Sequence, residues 1–222
     1  MAADVTLTGY TLADYVMRHE RCVLLVRHGR TSWNVADRLT TRSNPPLDDV
    51  GETQGRAVGL SLQGAVFDRA FASPKRRAWR TAELSLTGLD GAPTIVADDR
   101  LVEPDAGPVE GECFDDLYNG AHAEAFAAYC RETSPVFPAG CETIEQSAGR
   151  ARAFLDEVCA LPGRTFVASH GAFLRILTCV FLGQDAAGYR RLKLDNCHGV
   201  LLKLYPQGPH QLAAFNLPPL PA

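Results

Sequence analysis

Two apolar runs of strand length, Val23-Leu24-Leu25-Val26 and Thr165-Phe166-Val167-Ala168, each lead into a His-Gly pair, as Arg27-His28-Gly29 and Ser169-His170-Gly171. An unbroken apolar run of this length reads as a strand buried on both faces. In an open α/β sheet, ligands gather at the carboxyl ends of such strands. The chain is therefore constrained to set two imidazoles and two glycines at one edge of a covered sheet. The first run also delivers the Arg27 guanidinium and the side chains of Thr31, Ser32 and Asn34. Arginine presents a planar fork of donors and glycine lets backbone N–H groups come close, so these groups suit a phosphate.

Further strand-like runs cover 69–72, 94–97 and 200–205, and helical patterns cover 49–62, 75–86, 121–131, 142–160 and 172–181. This alternation predicts an α/β fold, a three-layer sandwich whose mostly parallel central sheet is flanked by helices. Residues 200–204 and 211–215, separated by Pro206, Gly208 and Pro209, predict a terminal hairpin. The whole chain, 1–222, reads as a single domain. Residues 1–21 read as an N-terminal extension with a short helix over 12–17, and 216–222 as a Pro-rich tail. Residues 103–141 break the rhythm with Gly, Pro, acids and aromatics around one helix. They read as a lid or insertion over the strand ends.

Bulk properties narrow the function. The formal net charge of −4 offers no basic field for nucleic acid. No apolar stretch approaches the ~20 residues that span a bilayer, so no membrane association is expected. The seven cysteines are scattered without a C-x-x-C pair, which weakens zinc and thioredoxin-like readings and suggests a reducing compartment. The N-terminus lacks a signal-peptide core, and the expected location is the cytoplasm.

A third strand ends at Ser73-Pro74, with Arg77 in the first turn of the next helix. Helix N-termini attract anions through free N–H groups and the dipole. A phosphate in this crevice would meet Arg27, His28, Arg77, His170 and a helix N-terminus together. Glu103, at the same sheet edge, is the candidate general acid, with Asp105 and Glu110 as competitors.

Four motifs in order carry a family resemblance. They are Arg27-His28-Gly29-Arg30-Thr31-Ser32-Trp33-Asn34, Ser73-Pro74-Lys75-Arg76-Arg77-Ala78-Trp79-Arg80-Thr81-Ala82, Leu101-Val102-Glu103 with Gly107-Pro108-Val109-Glu110-Gly111, and Ser169-His170-Gly171. In this the chain resembles the phosphatase branch of the histidine phosphatase superfamily, the phosphoglycerate mutase-like proteins. The resemblance implies that His28 attacks phosphorus and forms a phosphohistidine. It implies that Arg27, Arg77 and His170 stabilise charge on the transferring group, with Thr31, Asn34 and Gly171 as accessory phosphate contacts. Glu103 would protonate the leaving oxygen and then activate water. No metal and no cofactor are implied, and the partner is a small-molecule phosphate ester; a homodimer is common among relatives.

The sequence departs from the family pattern at Asn44-Pro45-Pro46-Leu47, where D-x-P-L is frequent, and at Gly140-Cys141-Glu142, where G-E-S is frequent. Both bear on substrate choice. The only cation between 103 and 141 is Arg131. Retaining a second phosphate without basic partners is costly, which favours hydrolysis over a cofactor-dependent mutase. A non-catalytic phospho-ligand sensor is the alternative from another class, and relatives of that kind usually lose the nucleophile or the acid. Plainer readings stand beside these: Thr31 and Asn34 as caps of a short helix, Arg77 as a surface residue like Arg76, and Trp33 and Trp79 as packing residues. Among the other histidines, His122 is the one to test for substrate contact.

Overall fold

The computed structural model describes residues 10–130 and 140–220. In chain order the elements are α1 (Leu12–Met17), β1 (Cys22–Arg27), α2 (Ser32–Val35), α3 (Asp49–Ser61), β2 (Arg69–Ala72), α4 (Arg76–Leu86), β3 (Ile95–Ala97), α5 (Phe114–Asn119), α6 (Ala123–Cys130), α7 (Ile144–Ala160), β4 (Arg164–Ser169), α8 (Gly171–Phe181), β5 (Gly199–Lys203) and β6 (Gln211–Leu217). The sheet runs β3-β2-β4-β1-β5-β6. The first four strands are parallel, while β5 and β6 form the expected antiparallel hairpin.

The apolar run of β1 lacks alternation because both of its faces are covered. Leu24 and Val26 enter one core with Val58 and Leu62 at α3 and Ala82 and Leu86 of α4. Val23 and Leu25 enter the other, with Ala151, Phe154 and Val158 of α7 and Phe173, Leu174 and Leu177 of α8. These two cores are the interfaces of the three-layer sandwich. Helix α1, read in sequence as part of an extension, belongs to the first layer. Leu12 and Val16 are buried, and the Leu12 N–H donates to Ser61 Oγ at 2.9 Å. Burying each such side chain stabilises by roughly 1.5–3 kcal/mol.

Parallel pairing levels the strand ends. Arg27 lies opposite Ser169, and Ala168 opposite Ala72. The His28 N–H then donates to the Ser169 carbonyl at 2.9 Å, and the Ser73 N–H to the Ala168 carbonyl at 3.0 Å. Three separate loops thus start from one line across the sheet.

The segment over these ends holds two helices, α5 and α6, where the sequence suggests one. Helix α5 has six residues, capped by Cys113, and is too short for a periodic signal. The segment has its own small core of Ala106, Val109, Leu117 and Phe126. Arg131 lies outside the described residues. Among the described residues, no helix is long and apolar enough to cross a membrane.

Candidate active site

Arg27 and His28 leave the end of β1, Ser73 the end of β2, and His170 the end of β4, while Arg77 sits in the first turn of α4. They converge. The His28 and His170 rings lie 5.2 Å apart, centre to centre, and both are buried. Arg77 Nε donates to His28 Nε2 at 3.3 Å, and His28 Nδ1 lies 2.7 Å from the Gly29 carbonyl. A guanidinium can only donate, so Nε2 carries the lone pair. Nδ1 is then the N–H, held by its own backbone. The close approach of Gly29 to α3 makes this turn: a Cβ on Gly29 would lie 2.6 Å from the Gly51 carbonyl oxygen.

Arg77 is fully buried, so it is not the surface residue that a helix position alone would suggest. Its Nη1 and Nη2 donate to the carbonyls of Ser43 and Thr40 at 3.1 Å each. That loop is in turn held by Glu110. The Glu110 carboxylate accepts from the Thr41 N–H at 2.9 Å and the Ser43 N–H at 2.9 Å. Burial pushes the Glu110 carboxyl up, but the hydrogen bonds from Thr41 and Ser43 outweigh it and hold it below the usual range. Asp105 pairs with Arg42 at 2.8 Å. Both competitors of Glu103 are therefore engaged in loop structure.

Glu103 faces the site. It lines a cavity of about 270 Å³ together with Arg27, His28, Asn34, Gly171 and Arg175. Its oxygens accept the N–H groups of Ala172 and Phe173 at 3.0 and 2.9 Å. The sequence leads one to expect a helix N-terminus to meet a phosphate, but that of α8 is taken by Glu103. At α4, the Arg76 N–H donates to Asn44 Oδ1 at 2.7 Å. Phosphate contacts are left to side chains.

Two of those side chains keep unpaired atoms. Arg27 Nη1 donates to the Leu194 carbonyl at 2.7 Å, while Arg27 Nε is buried with no partner. His170 Nε2 lies 2.8 Å from Ser73 Oγ, while its Nδ1 is buried with no partner. Arg27 Nε can only donate, and an unpaired buried donor is costly, so this atom beside an unpaired ring nitrogen marks a site for an anion. Gly171 makes room for Arg27, since a Cβ there would stand 3.1 Å from Arg27 Nε.

The electrostatics agree. Burial, then the charges of Arg77 and Arg27, hold His28 well below its ordinary pKa. Burial, then Arg77 and His28, do the same for His170. Burial brings Arg77 down to about 10, opposed by Glu103 and Glu110. The pocket is electropositive with two neutral imidazoles, and its free cationic donors suit an anion.

Thr31 and Asn34 form a reciprocal cap on α2, the plainer reading, with the Asn34 N–H donating to Thr31 Oγ1 at 3.2 Å. Asn34 also lines the pocket. His122 pairs with Glu112 at 3.5 Å and lines none of the three cavities beside Glu103. Trp79 packs against the first core, and its Nε1 donates to Glu83. Sequence reasoning missed Arg175 and Arg190, which border a second cavity beyond Glu103. For Arg175 a signal existed: it stands four residues after Gly171 on the same helix face. The Arg190 position follows only from packing. Among the described residues, no three His, Cys, Asp or Glu side chains gather as a metal set.

The sequence profile of the histidine phosphatase superfamily (branch 1) matches residues 23–217. The chain belongs to this superfamily. It is 34% identical over 193 residues to the 2,3-bisphosphoglycerate-dependent phosphoglycerate mutase of Azorhizobium caulinodans, covering 83% of this chain and 93% of that protein. It is 36% identical over 169 residues to the enzyme of the same name from Nitrobacter winogradskyi, covering 72% and 81%. Among solved structures, the alpha-ribazole phosphatase of Shigella flexneri superposes with a TM-score of 0.77 at 23% identity, covering 88% of this chain and 96% of that one. The phosphoserine phosphatase of Entamoeba histolytica, solved with 3-phosphoglyceric acid, gives 0.77 at 22%, covering 88% and 96%. These structures share the fold: a six-stranded sheet flanked by helices, as the motifs of this superfamily member predict. Membership makes the chain an enzyme family member acting on phosphate groups.

Proposed function

We propose that this protein hydrolyses small phosphate monoesters in two steps through a phosphohistidine on His28. The observation that carries this reading is the His28 tautomer. The Gly29 carbonyl holds Nδ1–H, and the Nε2 lone pair is presented among Arg27, Arg77 and His170.

In the first step Nε2 attacks phosphorus, the ester P–O bond breaks, and Glu103 gives its proton to the leaving oxygen. In the second, water attacks the phosphohistidine, Glu103 takes the water's proton, the N–P bond breaks and phosphate departs. Arg27 and Arg77 meet the charge on the three equatorial oxygens, the main requirement of phosphoryl transfer. A neutral His28 is the form able to attack, and its lowered pKa keeps it neutral across the physiological range.

Support for hydrolysis over phosphoryl exchange comes from the walls beyond Glu103. There a cavity of about 480 Å³ is bordered by Leu39, Phe114, Tyr118, Phe126, Tyr129 and Tyr189, with the acids Asp105 and Glu142. It exceeds the needs of a three-carbon acid, and its acids oppose a retained bisphosphate. The low number of cations within 103–141 did not anticipate Arg175 and Arg190, which other elements bring to that wall. The second reading, a phosphoglycerate mutase, is favoured by the names of the relatives at 34% and 36% identity. Incubation with 3-phosphoglycerate and a bisphosphate primer separates them. Release of inorganic phosphate from simple monoesters faster than isomer exchange is expected; exchange exceeding release would overturn hydrolysis.

A further inference from the structure

The cavity beyond Glu103 has an unusual charge arrangement. Besides Glu103, its two acids are matched from outside, Asp105 by Arg42 at 2.8 Å and Glu142 by Arg150 at 2.8 Å. Its two cations are not matched: among the described residues no carboxylate pairs with Arg175 or Arg190. Arg190 is the more exceptional. Its guanidinium stacks 3.9 Å above the Tyr129 ring centre and also faces Tyr189 at 5.4 Å, and the two tyrosine hydroxyls hydrogen-bond to each other. Nη1 donates to the Ala187 carbonyl at 3.2 Å, while Nε and Nη2 are buried with no partner. The faces of this guanidinium are occupied by aromatic rings, and its free donors lie along one edge.

A guanidinium with a free edge matches the two oxygens of a carboxylate in a bidentate pair. Arg175 stands at the boundary of the two cavities, lining both the His28 pocket and the aromatic chamber. Its Nε and Nη1 are fixed by the carbonyls of Gly171 at 2.9 Å and Leu192 at 3.0 Å, so its charge is held in place rather than swung away. Apart from Glu103 and the paired acids Asp105 and Glu142, most of the chamber wall that Arg190 shares is aromatic or aliphatic. This sequence of surfaces, cationic, apolar, cationic, describes a ligand with an anion at each end and an apolar body between them.

We propose that Arg190, assisted by Arg175, is the specificity determinant for the leaving group, and that preferred substrates are phosphate monoesters of apolar or aryl hydroxy acids whose carboxylate pairs with Arg190. This rests on the hydrolytic reading above and adds the substrate class to it. A carboxylate fits better than a second phosphate, since its two oxygens match the two unpaired donors of Arg190 and its single charge needs no further cation. The chamber volume of about 480 Å³ is in the range that encloses an aryl-sized group rather than a three-carbon acid.

The test compares the phosphate monoester of para-hydroxyphenylpropionic acid with that of its methyl ester, which removes only the carboxylate charge. The wild-type enzyme is expected to prefer the acid by at least about tenfold in kcat/KM. In Arg190→Met the ratio falls to near one, and in Arg190→Lys part of it returns. The ratio is internal to each preparation, so loss of folded enzyme does not move it. A wild-type ratio near one, or a ratio that survives in Arg190→Met, overturns the proposal and leaves Arg190 as a cover for two tyrosines. Binding of the corresponding phosphonates, acid and methyl ester, is measured by calorimetry alongside. If neither phosphate ester is turned over while the phosphonate Kd ratio stays at about tenfold, the hydrolytic reading fails and the subsite stands. Equal phosphonate affinities overturn the subsite whatever the turnover.

Discussion

On the His28 side of Glu103, Arg27, His28, Ser73 and His170 come from strand ends and Arg77 from the first turn of α4, and the register of three parallel strands sets their spacing. On the far side, the walls come from the 37–42 loop, α5, α6, the turn at 140–142, α8 and a 3-10 turn over Ala186–Arg191. The first region is anchored to two hydrophobic cores. The second rests on the small cluster around Leu117 and Phe126. Phosphoryl transfer demands fixed positive groups with little room for error, since misplacement by about 1 Å can cost 10²-fold. Discrimination among alcohols demands a shape that sequence change can alter without moving the nucleophile. The difference between the two regions matches that division of labour, with Glu103 as their shared wall.

Four measurements can break or sharpen this comparison. The largest effect is expected at the nucleophile. His28→Ala should lower p-nitrophenyl phosphate hydrolysis by at least about 10⁴-fold and abolish the acid-labile, base-stable phosphoryl label on the protein. Wild-type turnover in that variant would disprove the mechanism. Next is the shared wall. Glu103→Gln should slow alkyl phosphates by roughly 10²–10⁴-fold and p-nitrophenyl phosphate much less, since a good leaving group needs little protonation. Equal slowing of both would remove its acid role.

A smaller effect is expected one layer behind the pocket. Glu110→Gln loosens the 40–43 loop whose carbonyls hold Arg77. We expect kcat/KM to fall about tenfold, the scale of one weakened charged hydrogen bond, and competitive inhibition by inorganic phosphate to weaken with it. Unchanged phosphate inhibition would show that Arg77 keeps its place without Glu110.

The smallest effect is on pH dependence. The folded pKa values of His28 and His170 lie well below 6.5 through burial and the neighbouring arginines. Above pH 6.5 the rings are neutral in folded and unfolded chains alike. Below it the unfolded chain takes up protons that the folded rings refuse, so stability falls as pH drops from 6.5 toward the depressed values. Each ring contributes at most about 1.4 kcal/mol per pH unit in that window. Tm measured between pH 7.5 and 5.5 should decline, and a His28→Asn, His170→Asn double variant should decline less. Equal slopes would assign the acid sensitivity to other groups.

Much of the fold was legible because the apolar runs of β1 and β4 and the amphipathic patterns of α7 and α8 are long enough to carry a period. Short elements were not. Helix α5 spans six residues and α2 four, too few for periodicity to distinguish from loop. The members of the phosphate pocket were legible because each follows a strand or opens a helix. The role of Glu110 was hidden, since an acid holding a loop and an acid giving a proton look alike in sequence. Arg190 was hidden for a different reason. Nothing local separates it from Arg191, and its meaning depends on Tyr129, far earlier in the chain and in another helix.

The sequence by itself determined that two imidazoles and two arginines meet at the edge of a parallel sheet, because buried strands must pair in register and a level register brings their ends together. Only the tertiary structure decided which ring nitrogen of His28 is free, that Glu103 takes the α8 N–H groups, and that Arg190 is stacked on tyrosine with two donors unpaired beyond it. Those facts depend on atoms from elements far apart in the chain competing for the same donors and acceptors, and that competition has no local signature.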